Sequence, residues 1–127
     1  MTQRRDTMQV TIYHNPKCSN SRRALEIIRA GAIEPTIVEY LKTPLSKAEL
    51  KQLVQKLTSG AGEAWGGVRS IVREKEPAYA ELHLDRATDD ALLSAIAANP
   101  ILLNRPIVVT GKGARLCRPP ELVNELL

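Results

Sequence analysis

Two β-rich runs flank one amphipathic segment in the N-terminal part of the 127-residue chain, and this pattern constrains the fold most strongly. Residues 10–13 and 36–40 predict strands, because both runs are rich in β-branched and aromatic side chains. Between them, apolar side chains recur at helical spacing over residues 19–30, opposite a basic face. A strand, a helix and a strand this close together favour a parallel pair with a right-handed crossover. We expect Gly31 to end the helix in the left-handed conformation.

Helix signals dominate the middle of the chain. Ser46 and Glu49 form a capping-box pattern, which predicts the start of a second helix. Residues 59–67 contain four of the seven glycines and predict a flexible loop. A short helix is expected over residues 68–74, and Thr88 is expected to cap a further helix.

The C-terminal part predicts a hairpin followed by a helix. Residues 107–110 and 114–117 are β-rich and flank a glycine-containing turn, and Pro119-Pro120-Glu121 opens the last helix. The order β-α-β, helices, β-β-α matches an α/β class with a thioredoxin-like mixed sheet. We therefore expect a single thioredoxin-like domain over residues 1–127, with a helical insertion at about 44–100.

The composition excludes several classes of protein. Hydrophobic residues make up 43% of the chain, which suffices for a packed core. No apolar run approaches the roughly 18 residues of a membrane helix. The N-terminus lacks a signal-peptide pattern and the two cysteines fit a reducing compartment, so a cytoplasmic protein is expected. The net charge of +4 comes from scattered basic residues with few aromatics, which indicates a small anionic substrate rather than nucleic acid.

Cys18 is the candidate nucleophile, because it lies at the predicted start of the first helix. An ordinary cysteine thiol has a pKa of about 8.5, and a helix N-terminus with nearby cations lowers it. The backbone amides of Ser19, Asn20 and Ser21 are expected to point at the sulfur or at an anion beside it. His14, four residues upstream, either tunes the thiol or satisfies a turn.

The site is predicted to use one cysteine. Ser21 stands where a Cys-x-x-Cys pair carries its second sulfur, and its hydroxyl can donate a hydrogen bond to a thiolate but cannot form a disulfide. A second thiol must therefore come from another molecule. Cys117 lies in a predicted strand and is expected to be a buried hydrophobe. Cys18, Cys117, His14 and His83 match no zinc pattern, so no metal is expected.

Several segments, in order, resemble the signatures of the glutaredoxin-linked arsenate reductases. The active-site segment corresponds to residues 12–22, the second strand to residues 34–41, and the C-terminal signatures to residues 104–109 and 115–119. The resemblance runs from about residue 10 to the end of the chain. It implies a cytoplasmic enzyme that reduces arsenate to arsenite.

The resemblance also implies roles for individual residues. The catalytic cysteine matches Cys18, and the residues around it match His14, Asn15 and Ser21. The three oxyanion-binding arginines match Arg73, Arg105 and Arg118. The nearby Arg69 is the alternative to Arg73. The Arg105-Pro106 pair resembles the cis-proline of thioredoxin-like folds, whose backbone faces the active cysteine.

The implied cycle begins with a covalent adduct between Cys18 and arsenate. Glutathione, as co-substrate, attacks next, and glutaredoxin then reduces the mixed species; no tightly bound cofactor is expected. One alternative is a related thiol oxidoreductase that acts on another substrate. Another is a Spx-type regulator that binds RNA polymerase, although Ser21 and the three arginines argue against it.

Overall fold

A four-stranded mixed sheet forms the centre of the molecule. The computed structural model describes residues 8–127, and the strands are β1 Thr11–His14, β2 Thr36–Glu39, β3 Ile107–Thr110 and β4 Gly113–Leu116. Their order is β2-β1-β3-β4, with β1 parallel to β2 and antiparallel to β3, and with β3 antiparallel to β4. The predicted α/β class with a mixed sheet is confirmed.

Within residues 8–127, four α-helices and five short 3₁₀ segments connect and cover the sheet. The α-helices are α1 Ser19–Ala30, α2 Lys47–Ala61, α3 Pro77–Glu81 and α4 Asp89–Ala98. The 3₁₀ segments are Gly62–Trp65, Val68–Ile71, Leu84–Arg86, Pro100–Leu102 and Pro120–Glu125. The three α-helices between β2 and β3 fall in the stretch at about 44–100 where a helical insertion is predicted, and the 3₁₀ segment Pro100–Leu102 extends just beyond it. No helix within residues 8–127 combines the length and apolar character that crossing a membrane requires.

The sheet separates two hydrophobic cores, because side chains alternate between its faces. On one face, Ile12 and Val108 pack with Ile28 of α1 and with Val123 of the C-terminal 3₁₀ segment. The core on the other face contains Ile107 and the apolar residues of α2 and α4. Burial of each large aliphatic side chain contributes about 1.5–3 kcal/mol. Strand β1, which precedes α1 in the chain, is therefore held between two packed layers.

Two predicted helix starts are confirmed by their caps. Ser46 Oγ accepts a hydrogen bond from Glu49 N at 3.1 Å, and Ser46 N donates to Glu49 Oε1 at 2.8 Å. Thr88 Oγ1 accepts from Ala91 N at 3.1 Å at the start of α4. Each cap satisfies backbone N–H groups that have no partner within the helix.

The predicted left-handed stop at Gly31 is wrong. Gly31 has φ −86°, and the left-handed residue is Ala32 with φ 62°. Gly31 N still donates to Ile28 O at 3.1 Å, and Ala32 N donates to Arg29 O at 3.0 Å. The left-handed residue comes one position later than predicted, because these hydrogen bonds between residues three apart extend the last turn.

Other predicted boundaries also differ from the structure. The flexible loop predicted at 59–67 is instead the end of α2 followed by a 3₁₀ turn, and the short helix predicted at 68–74 is a 3₁₀ turn over Val68–Ile71. The 3₁₀ turn over Val68–Ile71 ends because Val72 forms an antiparallel bridge with Leu103. The last predicted helix is a 3₁₀ segment. The extent of the domain stays a prediction, and its first seven residues lie outside the described part of the chain.

A close approach between α2 and β4 explains why the helix continues through Gly60. A Cβ atom on Gly60 would lie 2.5 Å from Ala114 O and 2.7 Å from Ala114 N. Conversely, a Cβ on Gly113 would lie 2.5 Å from Gly60 Cα. The backbones therefore touch, and this tertiary contact overrides the low helix propensity of glycine.

We expect Gly60→Ala to destabilise the protein by about 1–3 kcal/mol, because the new methyl group must displace backbone atoms. Helix propensity alone predicts the opposite sign, a gain of about 1 kcal/mol. Urea denaturation measures the free energy of unfolding. Gly111→Ala is the control: no atom lies within 4 Å of its added Cβ, so a change within about 0.5 kcal/mol is expected. A stabilised Gly60→Ala variant would contradict the close packing of α2 on β4.

Candidate active site

Cys18 lies at the N-cap of α1, in the turn that follows β1. Its N–H donates to Asn15 O at 3.0 Å, and its own carbonyl accepts from Arg22 N at 3.0 Å. The Asn15 side chain accepts from Lys17 N at 3.0 Å and closes the turn. These bonds hold the cysteine where the first amides of α1 have no partners within the helix.

The surroundings of Cys18 favour the thiolate. Burial by itself raises the pKa of the thiol, since only 7% of the residue is exposed. The backbone N–H of Ser21, the charge of Arg105 and the backbone N–H of Asn20 outweigh this effect and lower the pKa of Cys18. Of the three backbone amides predicted to point at the sulfur, those of Asn20 and Ser21 lower the pKa of Cys18.

His14 and Ser21 form a buried pair beside the turn. His14 Nδ1 lies 2.7 Å from Ser21 Oγ, and the same oxygen accepts from Asn15 N at 3.0 Å. Burial lowers the pKa of His14, although Glu39 opposes the shift. In the described residues no hydrogen bond joins His14 or the Ser21 hydroxyl to the Cys18 sulfur. The Ser21 hydroxyl therefore holds His14 and the turn. The backbone N–H of Ser21 is the group that acts on the sulfur.

The three predicted arginines lie around one cavity of about 410 Å³, which we call the arginine cavity. Arg73, Arg105 and Arg118 all line it, together with Asn104 and Lys75. Arg118 Nη1 donates to Arg105 O at 3.1 Å. Arg105 Nε is buried and has no hydrogen-bond partner among the described residues. A cavity with this lining suits a small anion.

Arg69 and Arg73 have different partners, although both line the arginine cavity. Arg69 donates to the Tyr79 hydroxyl at 2.9 Å and to Ala87 O at 2.8 Å. Arg73 pairs with Glu76 at 2.9 Å. Both terminal nitrogens of Arg69 are therefore bound to protein, which favours Arg73 as the anion ligand.

Asn104 fixes the loop that carries Arg105, a role that the sequence did not reveal. Its side chain donates to Ser70 O at 3.1 Å and accepts from Arg105 N at 3.1 Å. Its backbone N–H donates to Ile71 O at 2.7 Å. The following Arg105-Pro106 bond is cis. The position of Asn104 directly before Arg105 was the available signal.

Tyr40 is a second residue that sequence reasoning did not place at the site. It is only 1% exposed, and its hydroxyl has no hydrogen-bond partner among the described residues. Burial raises the pKa of Tyr40, while the nearby Arg105 charge opposes the shift. Its position at the end of a predicted strand gave only a weak signal of this placement.

Cys117 is a buried hydrophobe, as expected. It is fully buried in the core that contains α1, and burial raises its pKa to about 12. Its thiol therefore stays protonated at neutral pH. The two cysteines of the chain have opposite environments, and only Cys18 has the character of a nucleophile.

We expect Arg105→Gln to raise the pKa of Cys18, because the variant loses the cation that stabilises the thiolate. The pH dependence of alkylation by iodoacetamide measures this pKa. Arg86→Gln, an exposed arginine outside the site, is the matched control and should leave the profile unchanged. An unshifted profile in Arg105→Gln would show that the guanidinium does not act on the sulfur.

The lowered pKa of His14 predicts that stability falls with acid. A histidine in the unfolded chain has a pKa of about 6.5 and binds a proton more readily than folded His14 does. The stability that neutral His14 contributes is therefore fully present above this unfolded pKa and is lost as the pH falls through the lower pKa of the folded state. Urea titrations between about pH 7.5 and about pH 5 measure the effect. His14→Asn should flatten this dependence, whereas His83→Asn, at an exposed position, should retain it. Equal slopes in both variants would contradict a buried neutral His14.

Comparison with known proteins gives the family. The ArsC family model matches residues 13–126. An arsenate reductase of Rhizobium meliloti is 49% identical over 94% of this chain and 82% of its own length, and one of Escherichia coli K12 is 47% identical over 93% and 80%. The structure of an arsenate reductase from Vibrio cholerae superposes with a TM-score of 0.85 at 46% identity, covering 94% of this chain and 98% of that one. The chain belongs to the ArsC family and has its thioredoxin-like fold.

Proposed function

We propose that the protein reduces arsenate to arsenite, with Cys18 as the nucleophile. The observation that carries the proposal is the position of Arg105, which acts on the Cys18 sulfur and also lines the arginine cavity. Family membership and the arsenate reductases among its relatives support the choice of substrate.

The electrostatics of the arginine cavity suit this substrate. Arsenate is a tetrahedral oxyanion that is negatively charged at neutral pH, so an attacking thiolate is repelled. Guanidinium groups and helix-terminal amides offset that repulsion and orient the oxygens. Arg73, Arg105 and Arg118 supply the guanidinium groups, and the amides of Ser19 and Asn20 add donors at the start of α1.

In the first step, the Cys18 thiolate forms an S–As bond, and one arsenate oxygen leaves as water after it accepts protons. Arsenic stays in the pentavalent state. Asn15 and Ser21 keep the turn closed, as their hydrogen bonds indicate. His14, through Ser21, acts as a positioning residue for this turn.

Two further thiols complete the reduction. Glutathione forms a second S–As bond and displaces another oxygen as water. A glutaredoxin thiolate then attacks the glutathione sulfur, the As–S bond breaks with its electron pair left on arsenic, and a mixed disulfide forms. Arsenic is now trivalent, and hydrolysis of the remaining S–As bond releases arsenite and the Cys18 thiol.

The need for external thiols is supported by this chain's own residues. The chain has two cysteines, and Cys117 is fully buried with a raised pKa. Ser21 occupies the position where an internal resolving cysteine would stand. External thiols in the reduced state are available in a reducing compartment, so we place the protein in the cytoplasm.

We expect Cys18→Ser to lower arsenate turnover by more than about a thousandfold, because the attacking thiolate is lost. The assay couples arsenite formation to glutathione, glutaredoxin and glutathione reductase, and follows NADPH oxidation. Cys117→Ala is the control and should keep most of the activity. Full turnover by Cys18→Ser would exclude the mechanism. Absence of turnover by the wild-type protein would exclude arsenate as the substrate when glutathione and glutaredoxin are the thiol donors.

A further inference from the structure

A second cavity, of about 500 Å³, lies beside the active-site turn. Its lining includes Pro16, Lys17, Glu39, Leu41, Lys42 and Ile101. It shares no lining residue with the arginine cavity. Because Lys17 directly precedes Cys18, the turn that holds the nucleophile forms part of the wall of this second cavity. Its volume lies in the range of about 300–1,000 Å³ that is usual for small-molecule sites.

Apolar side chains are unusually exposed at the second cavity. Leu41 is 42% exposed and Ile101 is 37% exposed, and both are large aliphatic residues. Pro16 adds a further apolar surface from the active-site turn. An exposed apolar surface in a concave site indicates contact with a ligand.

The charges around this apolar surface define what the ligand must carry. Lys17 and Lys42 provide two cations, and Glu39 provides one anion. Lys42 Nζ lies 3.4 Å from Glu39 Oε1, so opposite charges are held close together at the rim. A ligand that exchanges into this ion pair and also reaches Lys17 is matched by two carboxylates and one ammonium group, together with an uncharged portion that covers the apolar surface.

We propose that the second cavity binds the thiol co-substrate, a small peptide thiol with the charge pattern of glutathione. The inference rests on the proposed function, because it supplies the site from which the second thiol reaches arsenic on Cys18. Lys17 and Lys42 pair with the two carboxylates, and Glu39 pairs with the ammonium group. Pro16, Leu41 and Ile101 contact the uncharged portion.

This assignment separates the two substrates on the enzyme. The oxyanion occupies the arginine cavity, and the thiol occupies the second cavity next to the same turn. Two anionic substrates are thereby kept in different sites, which reduces competition of glutathione carboxylates for the arginines. The two KM values should therefore respond to different residues.

The kinetic test uses Lys42→Glu, which reverses a charge in the second cavity and leaves the arginine cavity intact. We expect the KM for glutathione to rise about fivefold or more, with the KM for arsenate and the kcat at saturating glutathione nearly unchanged. Lys51→Glu, an exposed lysine on α2 that lines neither cavity, is the matched control. A thermal melt of each variant checks folding.

A binding test is independent of turnover. S-methylglutathione has no free thiol, so its binding to the wild-type protein is read from the backbone amide shifts of Leu41, Lys42 and Ile101. We expect shifts at these residues, and weaker binding by Lys42→Glu. Shifts confined to Arg73, Arg105 and Arg118 would overturn the assignment. Binding of glutaredoxin or of a second copy of the chain to these residues, without shifts by S-methylglutathione, would also overturn it.

The outcomes distinguish this inference from the proposed function. If glutathione supports arsenate turnover but Lys42→Glu leaves its KM unchanged, the second cavity is not the thiol site and the reductase function stands. If S-methylglutathione binds at the second cavity but arsenate is not reduced, the thiol site stands and the substrate is wrong.

Discussion

The interaction between Arg105 and the Cys18 sulfur is the constraint on which the site depends. Cys18 is buried, and burial alone would keep its thiol protonated. A permanently charged guanidinium and two backbone amides outweigh the effect of burial and lower the pKa of Cys18, so the thiolate is favoured at a site where solvent is largely excluded. Because Arg105 also lines the arginine cavity, the guanidinium that lowers the pKa of Cys18 is also available to the oxyanion that we propose as the substrate.

The fold brings these groups together from distant parts of the sequence. The parallel β1–α1–β2 unit places Cys18 at the start of a helix, and the antiparallel pairing of β3 with β1 brings the Arg105 loop beside it. Asn104 ties this loop to Ser70 and so to the segment that carries Arg73. The site is therefore assembled by strand pairing and by one asparagine.

Local chemistry made some features predictable and tertiary contacts made others unpredictable. The helix over residues 19–30 and the caps at Ser46 and Thr88 follow from spacing and side-chain oxygens, so the sequence sufficed. Gly60 suggested a loop because glycine has a low helix propensity, and the close packing of its backbone on Ala114, which the sequence does not show, belongs to the tertiary structure. Similarly, the family resemblance suggested His14, Ser21 and the three arginines, but the pairing of the Ser21 hydroxyl with His14 depends on three-dimensional packing.

Protection of Cys18 by its oxyanion tests the central claim most directly. The rate of Cys18 alkylation by iodoacetamide is measured at neutral pH and constant ionic strength, with increasing arsenate and with chloride as the matched salt. If the guanidinium of Arg105 acts on the Cys18 sulfur and also binds the oxyanion, arsenate slows alkylation in a saturable manner and chloride does not. An alkylation rate that arsenate leaves unchanged, or that chloride lowers equally, would contradict the account.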